Sequence, residues 1–359
     1  MRIGWTAALV SVLGLTVSLT GCGGDGASSS GGGASGGRDD AIVIDGSSTV
    51  YRISRAAQLD YKKVDPGLRI NVANHGTGGG FDRYMQGEVD IIDASRDAKP
   101  EETSKAEELG LPWTRFLVAY DGITVVVNPQ NDFVKSLTVE QLRSLFAPDG
   151  TARTWKDLDP SWPDRKIVLY APGTASGTFD FFVEAVVGKG VKTNRSDVQA
   201  SEEDNVLVMG IAGDPDGLGY FGFAYYQANK DKLRAIPIQE TATAPAVEPT
   251  HETILSGQYK PLSRPLYIFV KNDLLKRERA ARFVAHYLEN AARFAESAGY
   301  VAPTEKDLAE NAERFRQASG GRIEGGSGSQ NAADARLVPA DSRQTAGGSG
   351  LRADGRPTA

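Results

Sequence analysis

Three short segments rich in glycine and hydroxyl side chains occur along the 359-residue chain, at residues 45–49 (DGSST), 76–81 (GTGGGF) and 172–180 (PGTASGTFD). A fourth segment, 94–97 (ASRD), contributes Arg96. Each of the three is predicted to lie where a loop enters a helix, and there the backbone N–H groups and the positive end of the helix dipole attract an anion. Three such loops beside one arginine predict a site for an oxyanion.

Each segment taken alone has a more ordinary explanation. The glycines at 78–80 are typical of a flexible turn, and the hydroxyls at 47–49 are typical of a helix N-cap. Arg96 could form a surface ion pair with Asp93 or Asp97. The oxyanion interpretation depends on the joint position of the segments at strand-to-helix junctions.

The composition and the motifs of the chain argue against several classes of function. The formal net charge is −6, and no basic stripe interleaved with aromatic residues is present, which argues against a nucleic-acid partner. Residues 173–177 do not form a Gly-x-Ser-x-Gly nucleophile elbow, and the glycine run at 76–80 lacks the lysine of a Walker loop. No spacing of His, Cys, Asp and Glu indicates a metal site, and no cofactor is indicated. The sequence therefore favours a binding protein over an enzyme.

The two ends of the chain differ from its middle. An apolar run at 4–19, too short for a convincing membrane span, leads to Cys22, the only cysteine. This arrangement resembles a bacterial lipobox and predicts a signal peptide over 1–22, with Cys22 lipidated and the protein tethered to the outer side of a membrane. The Gly/Ser-rich residues 23–40 are predicted to be a flexible linker, and residues 320–359 a disordered tail.

Strands and helices alternate in the middle of the chain. Apolar runs at 41–44, 69–73 and 89–94 each precede a predicted helix, which favours an α/β fold with a mostly parallel sheet. Ligands of such sheets bind at the carboxyl ends of the strands, where the proposed oxyanion loops fall.

The length of the folded region, 41–319, favours two lobes over one hydrophobic core. The strand at 122–127 and the loop-rich stretch at 239–249 are the expected crossings. We therefore predict a discontinuous lobe I over 41–126 and 245–319 and a lobe II over 127–244, joined by a hinge.

These segments, in this order and together with 121–128 (DGITVVVN) and 203–208 (EDNVLV), resemble the phosphate-binding lipoprotein of the bacterial Pst-type phosphate ABC transporter. The similarity runs from Ile42 to Ala291. It implies a two-lobed periplasmic-binding-protein-like fold of type II that closes about a hinge. It also implies a monomer in the cell envelope, in the periplasm or at the cell surface, that captures inorganic phosphate and delivers it to an ABC permease.

The resemblance also implies which residues contact phosphate: Ser48, Thr49, Thr77, Gly78, Ser95, Arg96, Ser176, Gly177 and Thr178. Arginine can pair with two phosphate oxygens at once, and hydroxyls and backbone N–H groups can donate to the others. Monohydrogen phosphate carries a proton that sulfate lacks, so a nearby carboxylate acceptor would favour phosphate. Asp97 is the first choice for this acceptor, with Asp45, Asp121 and Asp180 as alternatives. Ala175 stands where the resemblance implies a polar side chain.

Two other functions remain open at this point. The chain could be an oxyanion sensor or a surface interaction protein that serves no transporter. It could also keep the transport role but bind sulfate or another oxyanion.

Overall fold

The computed structural model describes residues 41–174 and 176–321. The predicted signal peptide, Cys22, the linker, Ala175 and all of the predicted tail except Gly320 and Gly321 lie outside the described residues. No helix within the described residues is long and apolar enough to cross a bilayer.

The described part of the chain forms eleven strands and twelve α-helices. The strands are β1 (Ala41–Gly46), β2 (Arg69–Val72), β3 (Ile91–Ala94), β4 (Trp113–Val127), β5 (Leu137–Thr138), β6 (Val168–Pro172), β7 (Gln199–Ser201), β8 (Gly217–Gly222), β9 (Arg234–Ala235), β10 (Ile238–Gln239) and β11 (Ser263–Lys271). The helices are α1 (Ser48–Tyr61), α2 (Gly76–Met85), α3 (Pro100–Glu108), α4 (Val139–Phe146), α5 (Trp155–Leu158), α6 (Gly177–Phe182), α7 (Asp204–Gly213), α8 (Phe223–Ala228), α9 (His251–Leu255), α10 (Glu278–Glu289), α11 (Ala291–Ser297) and α12 (Glu305–Ala318). A π-helical turn (Val183–Val187) continues α6, and a 3-10 turn (Leu274–Lys276) precedes α10.

One sheet runs through the molecule in the order β2-β1-β3-β11-β4-β8-β6-β7, with β9 also paired to β4, while β5 and β10 form a separate pair. The short strands β1, β2 and β3 are parallel to one another, as are β6, β7 and β8. The two long strands, β4 and β11, pair antiparallel to each other and to their neighbours. The sheet is therefore mixed, and it is parallel chiefly in the strands that end at the predicted loops.

Two large apolar cores lie along this sheet. The first packs α1, α10 and α11 against the strands around β1, and includes Ile44, Ile53 and Phe283. The second packs α4, α5 and α6 against the strands around β6, and includes Leu142 and Phe182. We call the parts of the chain around the first and second cores lobe I and lobe II.

Neighbouring residues on the central strands point to opposite faces of the sheet, so each lobe also has a smaller core on its other face. Ile91 packs in the first core whereas Ile92 packs with Phe81 under α2. In lobe II, Val125 packs in the second core whereas Val126 packs under α7. Strands apolar on both faces are typical of sheets covered by helices on both sides.

The long strands carry the chain between the lobes. On β4, residues up to Gly122 pair with β11, and residues from Ile123 onward pair with β8. Ile123, Ile254 and Leu262 all pack in the second core. Core packing thus favours crossings near 122 on β4 and near 263 on β11, earlier and later respectively than the predicted 126/127 and 244/245. The lobe boundaries themselves stay a prediction.

Two other features were not expected from the sequence. The first half of β4 and the helix α12 were not predicted. Asn311 of α12 donates to the carbonyl of Leu117 and accepts from its N–H, at 2.6 Å and 3.2 Å. The late helix is therefore fixed to lobe I through backbone groups of a strand far earlier in the chain.

Candidate functional site: the cleft between the lobes

A cavity of about 630 Å³ lies between the lobes. Six of the predicted site residues line it from lobe I: Ser48, Thr49, Thr77, Gly78, Ser95 and Arg96. Lobe I also contributes Lys99 and Arg264, and lobe II contributes Asp180, Phe181, Glu184, Lys189 and Lys192. The structure therefore brings the three segments of lobe I together at one wall of a cleft.

The wall at the start of α1 is formed by three consecutive hydroxyl residues. Ser47 is the N-cap, and its Oγ accepts from the N–H groups of Thr49 and Val50 at 3.2 Å and 3.5 Å. The hydroxyl of Ser48 reaches lobe II, where it donates to Oδ2 of Asp180 at 2.8 Å. Ser47 thus has the ordinary capping role, and all three residues line the cavity.

The start of α2 offers backbone donors to the cavity. No side chain caps this helix, because His75 at the N-cap position makes no capping hydrogen bond. Its first residues, Gly76, Thr77 and Gly78, all line the cavity. The Thr77 and Ser95 hydroxyls are 3.1 Å apart, so each can act as donor or acceptor. An uncapped helix start with two hydroxyls beside it is suited to an anion.

The glycine at position 80 lets α2 approach β1 closely. A Cβ atom there would lie 2.8 Å from the carbonyl oxygen of Asp45 and 2.8 Å from Cα of Gly46. Gly80 is therefore needed to pack α2 against the sheet, so the run is more than a flexible turn.

Arg96 lines the cavity, but its guanidinium is already engaged. Nη1 and Nη2 donate to the two carboxylate oxygens of Glu102 at 2.8 Å and 2.7 Å, and its Cζ lies 5.3 Å from the ring centroid of Phe81. The hydrogen bonds to Glu102 raise the pKa of Arg96 above its usual value. The sequence predicted that both fork nitrogens would face an anion, whereas here they face Glu102, because α3 places that carboxylate beside the strand end.

Asp97 does not line the cavity in the described structure. Its carboxylate pairs with Arg115 and accepts from the N–H of Ala98, and its side chain is 56% exposed. The backbone turns after Arg96, so consecutive residues point to different sides of the strand end. The first choice for the proton acceptor is therefore placed outside the cleft.

The third predicted segment reaches the cavity only through Asp180, whereas Ser176, Gly177 and Thr178 do not line it. Ser176 caps α6, and its Oγ accepts from the N–H of Thr178 at 3.2 Å. Gly177 touches Thr49 across the lobe boundary: a Cβ at Gly177 would lie 3.0 Å from Cα of Thr49 and 3.1 Å from its Oγ1. This segment brings lobe II against the start of α1.

Arg264, at the start of β11, was not among the site residues predicted from the sequence. Its Nη2 donates to Oγ1 of Thr49 at 2.9 Å and lies 3.4 Å from Oδ2 of Asp121. Its side chain is only 13% exposed, and burial lowers its pKa. Within the described residues, its Nε has no hydrogen-bond partner. A buried arginine with an unused donor at a cavity is a candidate anion ligand. The only signal in the sequence was an arginine opening an apolar strand.

The carboxylates near the cleft have separate roles. Asp121 is fully buried beneath Arg264, and burial raises its pKa despite the nearby guanidinium. Asp45 is fully buried as well; its burial opposes ionisation, but hydrogen bonds from His75 and Gly46 lower its pKa. Neither lines the cavity. Among the four carboxylates considered in the sequence, Asp180 alone does so in the described structure.

The side chains that line the cavity carry a net positive charge, whereas the chain as a whole carries a net negative charge. Among the described residues, the cavity is lined by five cationic side chains, Arg96, Lys99, Lys189, Lys192 and Arg264, and by two carboxylates, those of Asp180 and Glu184. Glu184 lies 3.9 Å from Nη1 of Arg264. Within the described residues, no group of His, Cys, Asp and Glu side chains is arranged to hold a metal ion.

The chain is similar in sequence to known proteins. A sequence profile described as a PBP superfamily domain matches residues 31–290. The phosphate-binding protein PstS of Staphylococcus haemolyticus is 40% identical over 305 residues, which cover 84% of this chain and 93% of that protein. The chain belongs to the PstS family of the PBP superfamily. Protein SphX of Synechococcus elongatus is 39% identical over 284 residues, which cover 79% of this chain and 83% of SphX.

A solved structure extends the likeness to the fold. The crystal structure of a protein from Planctomyces limnophilus, described as a possible phosphate binding protein, superposes with a TM-score of 0.75 at 39% identity. The match covers 77% of this chain and 98% of that one. The predicted two-lobed α/β fold and the predicted PstS-family membership are confirmed.

Proposed function

We propose that the chain is an extracytoplasmic solute-binding protein that captures inorganic phosphate in the cleft and delivers it to the permease of an ABC transporter. The named relatives support this ligand, since one is called a phosphate-binding protein. The cleft supplies the chemistry, because its walls combine hydroxyls, an uncapped helix start and arginine side chains.

The observation that carries the proposal is the environment of Arg264. Its guanidinium is largely buried, faces the cavity and keeps Nε without a partner in the described residues. A buried donor left unused costs free energy unless a ligand satisfies it. An oxyanion at this wall would accept from the guanidinium, whose Nη2 already donates to Thr49 and lies beside Asp121.

We assign the predicted contacts in two groups. Ser48, Thr49, Thr77, Gly78 and Ser95 line the cavity, and we propose that they contact phosphate directly. Arg96 lines it too, but both of its Nη atoms donate to Glu102, so we propose that it contributes positive charge at the wall instead of a bidentate contact. Ser176, Gly177 and Thr178 lie behind Thr49, and we propose that they act by holding lobe II against α1. A ligand that gains contacts when the lobes meet binds the closed form more tightly than the open form. Ligand binding therefore shifts the population toward the closed form.

We propose Asp180 as the carboxylate that accepts the phosphate proton. It lines the cavity from lobe II, and one of its oxygens already accepts from Ser48 at 2.8 Å. Asp97 pairs with Arg115 away from the cavity, and Asp45 and Asp121 are buried beneath the wall. A carboxylate in contact with the ligand favours the proton-bearing anion and repels sulfate.

The remaining parts of the proposal concern the envelope. We propose that Cys22 carries a lipid that anchors the protein outside a bacterial membrane, that residues 23–40 form the tether, and that the protein acts as a monomer without catalysis. The lobe boundaries at 126/127 and 244/245 belong to the same proposal, adjusted toward 122 and 263 by the core packing.

The test is to identify the anion that co-purifies with the full chain and to titrate the dialysed protein with phosphate and with sulfate by calorimetry. We expect phosphate to be released on denaturation and to bind in preference to sulfate. Sulfate or another oxyanion as the preferred ligand would change the cargo. A folded protein that binds no oxyanion would overturn the proposal and favour a surface interaction role.

A further inference from the structure

The mouth of the cleft carries unpaired positive charge on a chain that is negative overall. The formal net charge is −6, so the average field of the protein repels phosphate. Lys189 and Lys192 nevertheless line the cavity from lobe II, and Lys99 lines it from lobe I. All three side chains belong to exposed residues.

Neither lobe II lysine is neutralised locally. Within residues 41–174 and 176–321, Lys189 and Lys192 form no ion pair, whereas Lys99 lies 3.8 Å from Glu101. An exposed lysine without a partner keeps its full charge toward solvent, because no carboxylate screens it at short range.

The backbone that carries these lysines is built as a tight turn after the helix. The π-helical turn ends at Val187, and Gly188 and Gly190 have φ angles of 128° and 85°, which favour glycine. The two glycines reverse the chain at the cavity, so that residues 189–192 border the cleft instead of leading away from it. The turn therefore fixes where the two charges are presented.

The inner wall of the cleft offers phosphate donors other than these lysines. Arg264 and Arg96 already supply two guanidinium groups, and the helix starts and hydroxyls supply further donors. Lysine is a flexible point charge that attracts an anion without imposing a geometry, in contrast to the planar fork of arginine. Charges of this kind at the mouth of a cleft raise the rate of encounter more than the strength of the final complex.

We propose that Lys189 and Lys192, with Lys99 opposite, form a basic rim that draws inorganic phosphate into the cleft and sets its association rate. The inference rests on the proposed phosphate capture and adds a kinetic role for residues outside the predicted contacts. The rim acts at long range, so its effect weakens as salt shortens the Debye length.

The test compares the full chain with the double variant Lys189→Gln/Lys192→Gln. Equilibrium dialysis with radiolabelled phosphate gives Kd, and rapid filtration after a chase with unlabelled phosphate gives the dissociation rate. At low ionic strength we expect the association rate to fall about three- to tenfold while the dissociation rate stays nearly constant. The difference from the unmodified chain should shrink as salt is added.

The matched control is Lys166→Gln/Lys230→Gln. It removes the same charge from lobe II at two exposed lysines that do not line the cleft. We expect it to bind phosphate at the rate of the unmodified chain.

Equal association rates in the two double variants would overturn the proposed role of the basic rim. So would a rise in the dissociation rate of Lys189→Gln/Lys192→Gln that accounts for its whole loss of affinity. An unmodified chain that binds no phosphate in the dialysis would overturn the proposed function instead, and the rim with it. Melting curves of both variants check that they fold.

Discussion

The guanidinium carbon of Arg264 lies 3.7 Å from the centroid of the Phe181 ring. Arg264 belongs to β11 of lobe I and Phe181 to α6 of lobe II, so this contact crosses the cleft. A desolvated cation–π contact contributes about 2 kcal/mol. Because the same guanidinium donates to Thr49 and faces the cavity, its orientation, the contact between the lobes and the proposed anion site are coupled.

Replacing Arg264 with lysine should therefore weaken phosphate binding strongly. Arg264→Lys keeps the positive charge but loses the planar fork, so one group can no longer contact Thr49, Asp121 and a ligand together. Losing one charge-assisted hydrogen bond costs about 1.5–3 kcal/mol, which corresponds to roughly a 10- to 100-fold rise in Kd. Calorimetric titration with phosphate measures it.

Arg115→Lys is the control for this change. Arg115 also pairs with an aspartate and lies over an aromatic ring, that of Tyr267 at 4.8 Å, but it faces away from the cleft. Its replacement should leave phosphate affinity unchanged. If the two variants lose affinity equally, Arg264 has no special role at the ligand.

The close approach of Gly177 to Thr49 gives a second prediction. Gly177→Ala would place a methyl group 3.0 Å from a backbone atom of Thr49, which cannot move as easily as a side chain. Overpacking of this kind costs about 1–3 kcal/mol, and the open form escapes it. We expect phosphate affinity to fall about fivefold or more, measured by calorimetry, with little change in melting temperature.

Gly213→Ala tests whether any added methyl group in lobe II has this effect. Gly213 ends α7, and a Cβ there meets nothing within 4 Å. Its affinity should match that of the unmodified chain. An unchanged affinity in Gly177→Ala would mean that the lobes do not need to meet at Thr49 for binding.

The glycine- and hydroxyl-rich loops that line the cavity could be predicted from the sequence because their role at helix starts is local. Glycines and hydroxyls at 47–49 and 76–78 are needed to start helices at strand ends, and strand ends of an α/β sheet meet at one edge. The same reasoning gave the lobe I wall and the overall fold class. It gave no information about which face of the strand end each charged side chain would take.

Arg264 and Asp97 illustrate that limit. Arg264 reaches the cleft because β11 pairs antiparallel with β4, which brings it beside Asp121 and Thr49 from a distant part of the chain. The carboxylate of Asp97 lies outside the cleft, beside Arg115 of β4. Both outcomes depend on long-range strand pairing, which a local pattern does not encode.

The proposed proton acceptor gives a third prediction. Asp180→Asn removes the carboxylate from the cavity wall but keeps an acceptor for Ser48. The amide no longer repels sulfate, and its NH2 group can donate to an oxyanion. We therefore expect the preference for phosphate over sulfate to fall about tenfold or more. Competition of radiolabelled phosphate with sulfate measures it.

Asp97→Asn distinguishes the two aspartates considered as the acceptor. Asp97 lies outside the cavity lining, so its amide variant should keep the phosphate preference of the unmodified chain. A loss of preference in Asp97→Asn, with none in Asp180→Asn, would restore the choice made from the sequence.

The buried carboxyl of Asp93 makes the free energy of unfolding depend on pH. It is fully buried at the end of β3; one carboxylate oxygen accepts from Ser54 at 2.7 Å, and the other has no partner among the described residues. Burial raises its pKa to about 8 from the usual 3.8. The folded protein thus keeps a proton that the unfolded chain releases at lower pH, so the contribution of Asp93 to stability falls as pH rises from about 4 to about 8.

Asp93→Asn should remove this dependence, because an amide stays neutral throughout and can still accept from Ser54. The free energy of unfolding of the variant, relative to the unmodified chain, should rise by a few kcal/mol between about pH 5 and about pH 8. Urea unfolding followed by circular dichroism at the two pH values measures it. Asp82→Asn, which removes an exposed carboxylate from α2, should leave the pH dependence unchanged. If the two variants change with pH alike, Asp93 is ionised in the folded protein at neutral pH.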